Sequence, residues 1–314
     1  MCFIDYTKAF DSLYYEAIWT SLAQQGVDQT YIKLIRSIYS KCQAKVRLER
    51  TGTEFPIQKG VRQGDPLSPK LFSAVLESVF RSLNWKERGV KIDGEFLSHL
   101  RFADDVVIFA KSAPELENMV TELAAESLKV GLSMNMAKTK VLTNSEHQNI
   151  TIGLNRLEYV EEYIYLGQLV SFVNSSKKEI QRRIALAWKK YWGLKEIMKN
   201  NSINMHIKKK VYDMTILPCL PYGCQTWSLR KIDEEKLAIS QRKMERSMLQ
   251  LQLSDKVSNT IIRNKTKIAD VRKRIRTLKW NWAGHICRLE NNRWAKRITE
   301  WIKGKTKGKK EDQR

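Results

Sequence analysis

Short apolar runs and helical stripes alternate over the first 170 residues, the pattern of a mixed α and β domain. Cys2–Asp5 reads as an apolar strand, and Asp11 or Ser12 is placed to cap a helix running through Ile18 and Leu22. A second helix is predicted from Thr30 to Lys41, with Ile32, Ile35, Ile38 and Tyr39 on its buried side. Lys45–Leu48 and Glu54–Gln58 read as paired strands around Thr51-Gly52-Thr53. The loop Gly60–Ser68 follows. Ser68 is placed to cap a helix with Pro69 in its first turn, which buries Leu71, Phe72, Val75, Leu76, Val79, Phe80 and Leu83. Leu97–Phe102 and Val106–Ala110 are apolar strands joined through Ala103-Asp104-Asp105. A helix over Pro114–Val130 closes at Gly131, and Val141–Asn144, Ile150–Gly153 and Tyr163–Val170 read as further strands.

After Ser175 the pattern turns helical: Ile180–Lys199, His206–Leu217, Glu234–Leu253, then a basic stretch through Lys267–Trp282. The tail Lys303–Arg314 has nothing apolar to bury and is predicted disordered. A length of 314 residues suits two structural units, and 42% hydrophobic with 29% charged residues excludes a disordered chain. The longest uncharged run, Met214–Leu229, has 16 residues with Pro218, Pro221 and Gly223 inside it, which excludes a membrane-spanning helix. A charge at Asp5 excludes a secretory signal at this start. Five irregularly spaced cysteines argue against a disulfide framework and for a reducing compartment.

Charge changes this picture. The net charge is +22, yet residues 1–176 carry 20 Lys/Arg against 21 Asp/Glu, while residues 177–314 carry 36 against 13. A neutral first half joined to a basic second half points to a chemical core with a part that holds a polyanion, nucleic acid above all. Solvated helix faces rich in Lys and Arg are the alternative.

The candidate chemistry lies in carboxylates set among apolar residues. Asp104-Asp105 interrupts Leu-Arg-Phe-Ala-Asp-Asp-Val-Val-Ile-Phe-Ala, and Asp5 ends Phe3-Ile4. A carboxylate in such surroundings protonates, pairs with a base or binds a cation. A solvated hairpin turn and a helix cap would use the same residue types. Two acidic strand ends on neighbouring strands could instead share a pair of Mg²⁺ ions, the arrangement that serves in-line phosphoryl displacement. Successive strand residues point to opposite faces, so Asp104 and Asp105 need not contribute equally.

Phe3-Ile-Asp-Tyr-Thr-Lys-Ala-Phe-Asp11, Gly60-Val-Arg-Gln-Gly-Asp-Pro-Leu-Ser-Pro69, Phe102-Ala-Asp-Asp105, Gly131-Leu-Ser-Met-Asn-Met-Ala-Lys-Thr139 and Tyr165-Leu-Gly167 occur in the order of reverse transcriptase motifs. The chain resembles the non-LTR (LINE-type) retrotransposon class. Leu220-Pro-Tyr-Gly-Cys-Gln-Thr-Trp227 and Trp282-Ala-Gly-His-Ile-Cys-Arg288 resemble later segments of endonuclease–reverse transcriptase polyproteins. The resemblance implies an α+β right-hand polymerase palm, an antiparallel sheet with helices on one face, followed by an all-α thumb and a basic helical C-terminal region. Palm with partial fingers would occupy 1–174, thumb 175–255 and the basic region 256–314.

It further implies RNA-directed DNA polymerase activity, with two Mg²⁺ ions (Mn²⁺ as a substitute) adding dNTPs to a DNA primer on an RNA template. Asp5 and Asp104 would hold the metals, with Asp105 beside them as a further ligand. Phe10 would lie under the incoming sugar and exclude a 2′-hydroxyl. Gln63 and Gly64 would touch the nascent base pair, and Arg62 a phosphate. Lys138 would lie near the triphosphate as a general acid. Tyr165, Leu166 and Gly167 would form the primer grip.

Lys208-Lys209-Lys210 and Arg272-Lys273-Arg274 would contact duplex phosphates. Trp280, Trp282, Trp294 and Trp301 are expected as core anchors rather than base-stacking residues. His285 and Cys287 lack a second Cys/His pair, which argues against zinc. Asp5 lies so near the start that the chain reads as the C-terminal part of a longer element-encoded protein without upstream fingers or endonuclease. A catalytically inactive nucleic-acid-binding remnant is therefore the competing function, and a purely structural module a third. A nuclear address fits the Lys-rich tail, which a solvated tail would also resemble.

Overall fold

A computed structural model describes residues 1–49 and 51–301, so the tail expected to be disordered lies outside the described residues. The described chain divides into two compact units between Leu166 and Gly167. The first opens with β1 (Cys2–Ile4), α1 (Ala9–Ser12), α2 (Tyr15–Gln24) and α3 (Gln29–Ser40). The hairpin of β2 (Gln43–Ala44) and β3 (Phe55–Pro56) precedes α4 (Ser68–Ser82) and a second hairpin, β4 (Val90–Ile92) with β5 (Glu95–Leu97). Next come β6 (His99–Phe102), β7 (Asp105–Ile108), α5 (Ala113–Lys129) and β8 (Lys140–Val141). The short strands β9 (Thr151–Ile152), β10 (Asn155–Arg156), β11 (Glu158–Tyr159) and β12 (Glu162–Tyr165) close the unit.

Five strands form the main sheet in the order β11-β8-β1-β7-β6, antiparallel except for the β11–β8 pair. Period-2 alternation gives that sheet one greasy face. Cys2 and Ile4 of β1, Val106 and Ile108 of β7 and Val141 of β8 join a single core with Ile18 and Leu22 of α2, Phe72 and Val75 of α4 and Met119 and Leu123 of α5. The expected α+β sheet with helices on one face is therefore present.

Several boundaries differ from expectation for local reasons. Asp11 and Ser12 do not cap α2: Asp11 accepts a bond from Gln63, and the Ser12 hydroxyl donates to the carbonyls of Thr7 and Lys8. Nor does Ser68 cap α4. The helix includes it with its hydroxyl buried and unpartnered, and Asp65 Oδ1, accepting from the Leu67 N–H at 2.8 Å, sets the entry instead. Asp28 caps α3, on which Ile38 is 47% exposed although Ile32 and Tyr39 are buried. Asp105 belongs to β7, opposite Phe102, so only Ala103 and Asp104 make the turn.

The second unit begins with β13 (Gln168–Ser171) and continues through α6 (Ser175–Gly193), α7 (Lys195–Met198) and α8 (Met205–Val211). The predicted helix to Leu217 does not stay α-helical. It widens to a π turn over Tyr212–Ile216 and tightens to a 3₁₀ turn over Leu217–Cys219. Pro218 has no N–H to give and its ring crowds the carbonyl one turn earlier, so the α ladder cannot run through it. Then come α9 (Lys231–Met248), α10 (Asn259–Thr266), α11 (Val271–Arg288) and α12 (Trp294–Glu300). Tyr191, Tyr212, Leu237, Met244, Met248, Ile268, Val271 and Ile275 share the unit's own core. Among the described residues no helix is long and apolar enough to cross a membrane.

The tryptophans expected as core anchors are a correction: Trp280 is 77%, Trp282 37% and Trp301 38% exposed, and Trp294 is half-buried. Val271 and Ile275 set the buried side of α11. Trp280, nine residues after Val271, is turned by half a revolution to the opposite side.

Candidate active site

Register brings the acidic strand ends together. β1 and β7 pair Cys2 with Ile108, Phe3 with Val107 and Ile4 with Val106, so the next residue of β1, Asp5, stands across from Asp105. On its other side β1 pairs Cys2 with Val141 and Phe3 with Lys140, and the same count carries Asp5 to Lys138. Lys138 Nζ lies 3.7 Å from Asp5 Oδ2. The Asp5 backbone is held by its carbonyl, which accepts from the Asn135 N–H at 2.7 Å, and by its N–H, which donates to Thr139 Oγ1 at 3.5 Å.

Alternation puts Phe3 and Asp5 on the sheet face away from the helices. There Phe3 stacks on Tyr163 with centroids 4.1 Å apart and meets Tyr165 at 5.7 Å. The Tyr165 hydroxyl donates to the Asp105 carbonyl at 3.3 Å, so β12 lies over this face. Burial and then the Asp105 charge push the Tyr165 phenol up to about 12. Burial, then Asp5, then Asp105 raise Tyr163 as well. The Asp105 carboxyl is itself pushed up, by burial first, then by Asp104 and Asp5. Asp105 therefore feels both of the other carboxylates. Asp104 sits in the turn behind Ala103, whose φ of 51° is a strained conformation for a residue with a Cβ.

The donor set is chemically suited to a hard divalent cation: carboxylate oxygens, mutually repelling, with a solvent side left open. Among the described residues no three His, Cys, Asp or Glu side chains form a ready-made cage. That still suits Mg²⁺, which is commonly held by one or two carboxylates and completed by water and substrate phosphates.

The second cluster gathers around α1. Lys8 takes a left-handed conformation at φ 48°, which turns the chain sharply after β1. The Phe10 ring then stacks on Phe72 at 4.6 Å and 14°. The loop after β3 is bound to this turn: Val61 N–H donates to the Phe10 carbonyl and Gly60 N–H to that of Leu13, each at 2.7 Å. Gly60 allows the approach, since a Cβ there would lie 2.6 Å from the Asp11 carbonyl oxygen. Gln63 Nε2 donates to Asp11 Oδ1 at 3.1 Å, and Gly64 follows with φ 88° and open space beside it. Phe10, Gln63 and Gly64 thus share one neighbourhood.

Arg62 points elsewhere. Its guanidinium donates to Cys42 Sγ at 2.6 Å and lies 5.9 Å from the Tyr39 ring centroid. It lines a pocket of about 500 Å³ with Asp11, Tyr15, Cys42 and Gln63.

Tyr165 ends β12 in the first unit, and Leu166 follows at φ 47°. Gly167, at φ 76°, opens the second unit, where its carbonyl accepts from both Arg182 and Arg183. Glu179, buried beneath them, accepts from both guanidinium groups and from the Leu169 N–H at 3.1 Å. Sequence reasoning passed over Tyr163, Arg182, Arg183 and Glu179. The Tyr-x-Tyr alternation before Leu-Gly was the available signal for Tyr163. Nothing in the local pattern singles out the other three from a solvated helix face.

Residues 1–170 match the family described as reverse transcriptase (RNA-dependent DNA polymerase). A transposon-derived protein of Caenorhabditis elegans is 31% identical over 68% of this chain and 79% of its own length. The Pol polyprotein of the type-2 retrotransposable element R2DM of Drosophila melanogaster is 30% identical over 52% of this chain, and that of an R2 element of Nasonia vitripennis 29% identical over 59%. The chain spans 17% and 19% of those two polyproteins. Among solved structures, apo telomerase from Candida tropicalis resembles 79% of this chain and 46% of its own, at 12% identity and a TM-score of 0.42. With the whole span of the acidic strands and the Gln63 loop inside the matched region, the chain belongs to the reverse transcriptase family.

Proposed function

We propose that this chain is an RNA-directed DNA polymerase segment of a non-LTR retrotransposon, adding dNTPs to a primer 3′-hydroxyl on an RNA template. The observation that supports it is the register that sets Asp5 across from Asp105 on the open sheet face, with Asp104 in the adjoining turn. Asp5 and Asp104 would hold two Mg²⁺ ions, with Asp105 beside them, and the ions would supply charge stabilisation to the attacking and leaving oxygens. Lys138, already drawn to Asp5, would stand near the triphosphate and give a proton to the departing pyrophosphate. Phe10, rigid against Phe72, would close the space beside the sugar C2′, while Gln63 and Gly64 would lie against the nascent pair. Arg62 would take a phosphate only after leaving the Cys42 thiol. Tyr165, Leu166 and Gly167 would support the primer end. Residues 1–174 would act as palm with partial fingers, 175–255 as thumb and 256–314 as a basic attachment holding phosphates.

Primer extension on poly-rA/oligo-dT tests the reading. Asp104→Asn should abolish Mg²⁺-dependent incorporation while circular dichroism stays that of the parent. Undiminished extension by that variant would remove the catalytic assignment. A parent protein that binds nucleic acid yet incorporates nothing at any Mg²⁺ or Mn²⁺ concentration would favour the inactive remnant.

A further inference from the structure

α11 carries an exposed stripe that the proposed chemistry does not use. Lys273, Trp280, Gly284 and Arg288 fall within about a quarter-turn of one another on the side opposite Val271. The backbones of the two end residues lie about 10 and 12 Å along the axis from Trp280, and the Arg288 guanidinium reaches back to Gly284. A tryptophan 77% exposed is unusual, because the indole ordinarily finds apolar cover. Three carboxylates near this helix are engaged elsewhere: Asp270 with Arg263 and Arg272, Glu235 with Arg242 and Arg272, Glu234 with Arg276 at 3.8 Å. Lys273 and Arg288 have no carboxylate partner among the described residues, and the stripe itself contains none.

Gly284 adds a second observation. A glycine inside a helix costs about 1 kcal/mol against alanine. Nothing in the fold asks for this one, since a Cβ there would meet only the mobile end of Arg288, at 3.3 Å. One turn beyond Trp280, it leaves a gap that only the Arg288 guanidinium approaches. An aromatic ring bared beside glycine and bracketed by unpaired cations is complementary to a chain of phosphates bearing flat bases.

We propose that this stripe is a stacking site for single-stranded nucleic acid, with Trp280 taking a base and Lys273 and Arg288 the neighbouring phosphates. It extends the proposed function, on which it rests only for the class of polymer, from the duplex phosphates expected there to an unpaired strand.

The test is equilibrium binding by the full chain, read by anisotropy of labelled oligo-dT and of the same oligomer annealed to oligo-dA. Trp280→Leu should weaken single-strand binding about tenfold, leave duplex binding unchanged and keep the parent's salt slope. Trp280→Phe should retain most of the affinity, and Lys273→Gln should reduce the salt slope by about one. Equal single-strand affinity of Trp280→Leu and parent would overturn the site. So would an equal loss for single strand and duplex, or a change of oligomeric state in Trp280→Leu by light scattering, which would mark a protein-docking face. No turnover is involved, so failure here and failure of Asp104→Asn to stop extension are separate results.

Discussion

Phe10 is held in place by its own neighbours: its ring lies flat on Phe72, and its carbonyl is tied to the Val61 N–H. A rigid ring makes a sharper steric filter than a mobile one, because selectivity between a sugar with and without a 2′-hydroxyl needs a wall that does not yield. Phe10→Val should therefore raise rNTP incorporation relative to dNTP by at least about tenfold, the scale of a lost contact of 1–3 kcal/mol. Unchanged sugar selectivity in an active variant would place the wall elsewhere. At this scale the sequence was most legible where a residue contradicted its surroundings. Carboxylates between Phe3-Ile4 and Val106-Val107 announce themselves, since charge beside core-grade strands demands compensation. Tyr163 was hidden because an aromatic residue in a strand is ordinary, and its stack on Phe3 joins positions 160 residues apart. At Arg62 the motif suggests a phosphate, and only tertiary structure adds the Cys42 thiol and Tyr39 ring as neighbours of the guanidinium.

Elements follow the same logic. Long amphipathic helices such as α4 and α5 were readable within one or two residues, for their buried stripes repeat many times. Caps and short strands were not, because one hydrogen bond decides them. Asp65 outcompetes Ser68 at the start of α4, and Asp28 rather than Thr30 opens α3. Gly131 is a case where sequence and structure agree for a stronger reason than the sequence offers. It is the expected left-handed residue after α5, with φ 90°, and a Cβ there would also lie 2.4 Å from the Ser12 carbonyl oxygen. The turn before α2 passes directly against it, with Tyr14 N–H donating to the Val130 carbonyl at 3.0 Å. Gly131→Ala should thus destabilise the first unit by about 2 kcal/mol or more, combining backbone strain with a forced shift. The measurement is urea unfolding. Gly64→Ala is the control, with a similar φ but open space, and should cost about 1 kcal/mol. Equal losses at the two sites would mean that strain alone operates and that the contact with Ser12 relaxes freely.

Across the whole molecule the two units have different electrostatic constitutions, and this gives them different responses to pH. The excess positive charge lies after residue 176, where carboxylates are outnumbered by Lys and Arg. Asp270 caps α11 through the Arg272 N–H and lies 2.5 Å from Arg263 and 2.8 Å from Arg272. Burial works against its charge, but the bonds from Arg272 and Arg263 overcome that and hold its carboxyl far below the usual range. A depressed folded pKa contributes stability that is present above the unfolded value near 3.9 and is lost as pH falls through the folded value. Glu245, joined to the same Arg263 at 3.6 Å and to Thr266 at 2.8 Å, is shifted the other way, because burial outweighs those partners. Its raised pKa contributes stability in acid that is lost as pH rises from the unfolded value through the folded one. The two carboxylates therefore oppose each other around neutrality, and only Asp270 gains from its charge there. Asp270→Asn keeps a capping side chain but removes that charge, so it should cost the second unit about 2 kcal/mol at pH 7, the scale of a charged hydrogen bond. Followed by thermal unfolding, the deficit against the parent should shrink steadily below pH 4 and leave the first unit's transition where it was. A deficit independent of pH would assign the loss to capping geometry, and the opposed pair would no longer account for the pH response of this unit.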